Sequence, residues 1–153
     1  MKVTSADDVI LAVTAALDAA VTYPVFDGPP SGRPVRGTDR YVVIGTDTLD
    51  TGEDAGPANA ADMSQAWKGL GQKARDEDLH IHCISVGKGS SVAAARGFAM
   101  AALQNTFDYL GQHPTNETYN ALVSDISDVR VRNTSGGAVV HILFTISASA
   151  RLT

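Results

Sequence analysis

The chain is short of cysteine, of basic side chains and of long apolar runs. Cys83 is the only cysteine, so an internal disulfide is excluded. That fits a reducing compartment. Twelve Lys and Arg stand against seventeen Asp and Glu, a formal net charge of -5. Such a balance excludes a protein that grips nucleic acid over its whole surface, although a local basic patch is compatible with it. No stretch approaches the roughly 18 apolar residues needed to cross a bilayer. The first residues run from Lys2 to Ser5-Ala6-Asp7-Asp8, without the unbroken apolar core of a signal peptide. The expectation is a soluble protein made in the cytoplasm.

What is present is ordinary for a folded domain. Hydrophobic residues make up 44% and charged residues 19%, too apolar for a disordered chain. The 153 residues suit one domain spanning 1–153, long enough to bury a core without metals or disulfides.

The first predicted element is a helix. Ser5 is the expected N-cap, with Asp8 completing a capping-box-like pair. Ile10, Val13, Leu17 and Val21 follow at helical spacing, and Tyr23-Pro24 ends the run. From Phe26 to Pro34 a proline-rich, stiff connector is expected. Arg40 to Gly45 reads as a buried strand. An acidic loop from Asp47 to about Asp62 comes next. A long hairpin is then predicted. In its first strand Met63, Gln65, Trp67 and Gly69 share one face, and Ser64, Ala66, Lys68 and Leu70 the other. Arg75-Asp76-Glu77-Asp78 is the charged turn, and Leu79 to Val86 the return strand, broken by Gly87-Lys88-Gly89.

Ser90 or Ser91 caps a second helix, with Val92, Ala95, Ala99, Leu103, Phe107 and Leu110 as its buried stripe. Gly111 and Pro114 mark its end. The last segment is a hairpin. Val129 and Val131 alternate with Arg130 and Arg132, and residues 133–137 turn the chain. Val140, Ile142, Phe144 and Ile146 then oppose His141, Thr145 and Ser147. The predicted fold is α+β: a largely antiparallel or mixed sheet with two helices packed beside it, in the order α-β-β-β-α-β-β.

Four features invite a chemical reading. Asp50-Thr51-Gly52 matches the aspartic-protease triplet, but Thr48 interrupts the apolar approach that buries such a loop, and helices flank it. Its acids do not follow the alternate spacing of a calcium loop either. Gly87-Lys88-Gly89-Ser90-Ser91 stands before a helix, where backbone N–H groups attract phosphate. A Walker loop has glycine four residues ahead of its Gly-Lys pair, and Cys83 stands there. The third glycine of a dinucleotide fingerprint is absent too. His80 and His82 share a strand face with Asp78, and His141 on another strand is a candidate neighbour, while Cys83 points the other way. Two histidines without a defined third ligand are a thin metal site. No nucleophile elbow is present. No catalytic, cofactor-binding or metal-binding residue is therefore assigned, and no cofactor or enzymatic activity is expected.

Four stretches carry a resemblance. They are the N-terminal helix leading into Val25-Phe26-Asp27-Gly28-Pro29-Pro30; Arg40-Tyr41-Val42-Val43-Ile44-Gly45; residues 64–77 with the helix that begins Val92-Ala93-Ala94-Ala95-Arg96; and the closing hairpin ending near Phe144-Thr145-Ile146. In this order they resemble the tail terminator, or tail completion, proteins of long-tailed bacteriophages, particularly those of actinobacteria. The resemblance implies a structural virion protein that forms a homo-oligomeric ring, usually a hexamer. Such a ring caps the tail tube, ends its polymerisation and offers a joining surface to the head's connector or stopper protein. The implied partners are further copies of the chain, the major tail tube protein and that connector. DNA passes through the lumen without specific binding, and no membrane is involved. Another neck or minor tail component is the alternative, and a small metal-binding domain or enzyme using His80 and His82 a more distant one.

Overall fold

The computed structural model describes residues 4–30, 35–49, 56–67 and 75–152. Helix α1 covers Ala6–Ala20 and helix α2 Val92–Gln112. The strands are β1 (Val25–Asp27), β2 (Arg40–Ile44), β3 (Ala61–Trp67), β4 (Arg75–Gly89), β5 (Asn120–Thr134) and β6 (Gly137–Leu152). The expected order is present, with the short β1 added ahead of β2. The six strands form one mixed sheet along the path β1-β2-β4-β6-β5. Strand β3 lies beside β4 on the same edge as β2, so β2 and β3 follow one another along that edge. Among these strand pairs only β1 and β2 run parallel.

Strands β4 and β6 are the spine. They pair antiparallel without interruption from Arg75–Leu152 to Gly89–Ala138. Alternation sorts their side chains between the two faces. Leu79, Ile81, Cys83, Val140, Ile142, Phe144 and Ile146 are buried on the inner face. There they meet Val9, Ile10, Val13 and Leu17 of α1 and Ala95, Ala99, Leu103 and Leu110 of α2 in one core. Both helices thus cover the same face. Burying Phe144 alone contributes about 2–3 kcal/mol. On the outer face Tyr41, Val43, Ile84 and Val86 make a smaller core with Phe26, Val35 and Leu49.

Several expectations are corrected. Arg75-Asp76-Glu77-Asp78 is not a turn but the start of β4, and Glu77 is completely buried there. Gly87-Lys88-Gly89 continues β4 instead of breaking it. Part of the proline-rich connector is strand β1, and the acidic loop gives way to β3 at Ala61. Residues 31–34, 50–55 and 68–74 lie outside the described residues, as do Gly69 and Leu70 of the predicted hairpin. Met63 and Gln65 do share a face, opposite Leu79 and Glu77. Ser5 stands at the N-cap of α1, yet its hydroxyl makes no capping bond; it donates to Glu77 instead. In α2, Ser91 caps as expected, accepting from the Ala94 N–H at 3.2 Å. Gly111 lies within the helix, which ends at Gln112.

Phe107 is the clearest change. It is 53% exposed, and Ala102 and Thr106 take its place in the buried stripe. The docking of α2 explains this. A Cβ on Gly87 would lie 2.0 Å from the carbonyl oxygen of Ala95 and 2.5 Å from the Ala99 nitrogen. Helix backbone therefore rests directly on strand backbone, and this contact fixes the roll of the helix. Thr106 tolerates burial because its hydroxyl donates to the carbonyl of Ala102.

Candidate functional site

Two surfaces hold the residues that stand out: a polar cluster on the outer face and an apolar flank beside β5. The polar cluster contains the histidines singled out in the sequence. Register places Asp62 of β3 opposite His80 and Ser147 of β6 on its other side. His82 Nε2 lies 3.0 Å from Asp62 Oδ2. The Asn59 amide donates to Asp62 Oδ1 at 3.0 Å, and the Asn59 backbone N–H to Asp47 Oδ1 at 3.0 Å. Asn59 first and His82 second hold the exposed Asp62 carboxyl below the usual carboxylate range. These bonds tie residues 59–62 to the sheet.

His80 takes part in a second chain. Its Nδ1 is 3.0 Å from the Ser147 hydroxyl, which donates to the Ser124 hydroxyl at 2.6 Å. Ser124 in turn donates to the Thr145 carbonyl at 3.4 Å. Which of the two donates in the His80–Ser147 contact depends on the imidazole tautomer. The chain ends on the Thr145 carbonyl and so links side chains of β4, β6 and β5 across the outer face.

The other candidates disperse. Asp78 shares the outer face with the two histidines. His141 does too, but it pairs with Val86, four positions beyond His82 or about 13 Å along the strand. Cys83 points inward as expected, and burial pushes its thiol up to about 12. Among the described residues no group of three or more His, Cys, Asp and Glu is placed to hold a metal ion. Asp50-Thr51-Gly52 lies outside the described residues. Gly87 and Gly89 serve the close approach of α2, and Lys88 donates to the Val35 carbonyl and lies over the Tyr41 ring. A cleft of about 630 Å3 opens between the C-terminal ends of α1 and α2 beside Arg40. Two of its polar groups are engaged with the protein: Arg40 with Asp39 at 2.8 Å and over the Phe98 ring, and the Tyr23 hydroxyl with the Ala102 carbonyl.

The apolar flank arises from sheet width. Helix α1 packs over β1 and β2, and α2 over β4 and β6. Strand β5 lies at the sheet edge, where α2 also touches it and Ala121 joins the core. From Val123 to Val131 the inner-facing positions Ile126, Val129 and Val131 pair with Phe144, Ile142 and Val140 of the core. Their partners are buried, but they themselves remain 49–52% exposed. Met100 and Phe107, seven residues apart, share one flank of α2 and are 47% and 53% exposed. Asn105 and Tyr109 on the opposite flank line the Arg40 cleft toward β2, so Met100 and Phe107 face the β5 side. Among the described residues, five of the eight large exposed apolar side chains thus lie along one border of the molecule, which is where a partner would gain most from contact.

Sequence periodicity found Val129 and Val131 but not this border. Two bulges, between Val123 and Asp125 and between Ile126 and Asp128, shift the alternation and hide the first half of β5. No helix among the described residues is long and apolar enough to cross a membrane. No protein-family profile matches the chain, and no curated protein matches it.

Proposed function

We propose that the chain is a structural subunit of a bacteriophage virion, a tail terminator that assembles into a ring at the end of the tail tube. The observation that carries this reading is the apolar border formed by β5 and the flank of α2, with a strand edge open beside it. Open edges and contiguous apolar patches are surfaces for contacts between chains. The resemblance supplies the identity of those contacts. Its four stretches fall on α1 with β1, on β2, on β3 to α2, and on the β5–β6 hairpin, and so extend through the whole fold.

On this reading, copies join head to tail until the ring closes, six being the expected number. The closed ring ends growth of the tube and presents its other side to the head's connector. The net charge of -5 favours passage of DNA through the lumen, because like charges repel the phosphates. The chain performs no catalysis.

Two measurements test the proposal. Native mass spectrometry and negative-stain imaging, alone and with the tube protein, are expected to give rings that cap tubes. A chain that stays monomeric and never joins a tube refutes it. Electron microscopy of phage lacking the gene is expected to reveal overlong or unjoined tails. Complete tails beside leaking heads would move the chain to the head-side stopper.

A further inference from the structure

Strand β5 pairs with β6 along one side; its other side meets Pro114 and Thr115 at Asn120 and Ala121, and beyond them is the edge of the sheet. Both bulges precede Asp128, so Asp128–Thr134 is a regular ladder. Thr134 and Gly137 close the turn at Ser135-Gly136. Counting back from that pair, alternate residues direct their N–H and C=O groups toward β6, while Asn133, Val131 and Val129 direct theirs outward. The side chains alternate as well. Asp128, Arg130 and Arg132 stand on the outer face, Val129 and Val131 on the inner face.

This order is self-complementary about one residue. A two-fold axis through Val129 sets Val129 opposite its own copy, in a position where both can exchange backbone hydrogen bonds. The same axis sets Asp128 of each copy opposite Arg130 of the other. The acid and the base already lie 3.2 Å apart within one chain, so pairing interleaves four charges of alternating sign. An axis through Val131 would instead place Arg130 opposite Arg132 twice, which like-charge repulsion disfavours. On the inner face the exposed Val129 would be covered by its own copy, while Val131 would stand opposite Ser127 of the second copy, at the bulge next to Asp128.

We propose that two copies of this chain pair antiparallel through β5, about a two-fold axis at Val129, and so continue the sheet from one subunit into the next. The occupant is a second copy because the one strand carries both halves of the charge pattern. The proposal stands apart from the tail reading. A ring needs head-to-tail contacts, so on that reading the two-fold pair is the form held before the chain meets the tube.

The test is disulfide trapping in the full-length protein. In Val129→Cys, two-fold pairing brings the same residue of both chains together, and mild oxidation yields a covalent dimer. Cys83 does not compete, being buried with its thiol raised to about 12. Ser64→Cys, exposed on the opposite edge, is the control and stays monomeric under the same oxidation. Sedimentation gives the second readout. Asp128→Arg and Arg130→Asp each weaken the dimer about tenfold, and the double exchange restores it to within about threefold. Both side chains are exposed, so folding is unaffected. A monomer at concentrations up to about 1 mM overturns the pairing. Trapping of Val129→Cys no faster than Ser64→Cys overturns it, as does a double exchange that restores nothing. Rings that cap tubes without this trapping sink the pairing and leave the tail reading intact. Trapped dimers from a chain that never joins a tube do the reverse.

Discussion

Removing the carboxylate of Glu77 should loosen the joint between α1 and the sheet. This side chain is fully buried on the inner face of β4. Its Oε1 accepts from the Ser5 backbone N–H at 2.9 Å, the Ser5 hydroxyl at 2.8 Å and the Thr4 hydroxyl at 2.7 Å. Its Oε2 accepts from the Gln65 amide. The Thr4 oxygen also accepts from the Ala6 N–H at 3.1 Å, so one carboxylate organises the first turn of α1. A negative charge at this end also favours the helix dipole, by about 0.3–1 kcal/mol. In Glu77→Ala three donors lose their acceptor, two at the buried Ser5 and one at the half-buried Thr4. At about 1–3 kcal/mol for each group left unsatisfied, and with partial rescue by water, the expected loss is about 3–5 kcal/mol. Glu77→Gln keeps the shape and an acceptor oxygen but loses the charge, for an expected loss of about 1–2 kcal/mol.

Acid adds a second dimension to the same experiment. Burial raises the Glu77 pKa, but the Gln65, Thr4 and Ser5 donors outweigh it and leave the group below its ordinary value of 4.5. A depressed folded pKa means that the unfolded chain takes up the proton first. The stabilisation is therefore full above 4.5 and is lost as pH falls from there through the folded pKa. Urea unfolding followed by helical circular dichroism, at neutral pH and at several values below 4.5, measures both effects. Glu77→Gln should show a smaller fall on acidification than the parent. Unchanged stability in Glu77→Ala, or an equal acid dependence in Glu77→Gln, would refute the reasoning.

Three further outcomes follow from packing. Gly87→Ala forces a methyl into the backbone of α2, 2.0 Å from the Ala95 oxygen, and should cost about 3 kcal/mol or more, read as a fall in Tm. Gly97→Ala, at a helix position with nothing within 4 Å, should leave Tm unchanged or raise it, which separates crowding from the loss of a glycine. Cys83 should resist thiol reagents at neutral pH until the chain unfolds, because it is buried and its thiol is raised to about 12; rapid labelling of the native protein would contradict that.

The sequence by itself determined the elements whose burial is periodic. Ile10, Val13 and Leu17 face the core because they recur at helical spacing, and Val140 to Ile146 because they alternate in a strand. The opposed orientation of His80 and Cys83 was legible for the same reason. Contacts between distant segments were not. Arg75-Asp76-Glu77-Asp78 has the composition of a solvated turn, yet Glu77 is buried because donors more than 70 residues away surround it. Phe107 has the spacing of a core residue, yet Gly87 and Gly89 seat α2 at a roll that turns it outward. The exposure of Val129 and Val131 followed from which strand became the sheet edge, and pairing order between strands decides that. Local periodicity states which side chains share a face; only the assembled sheet and helices decide whether anything covers it.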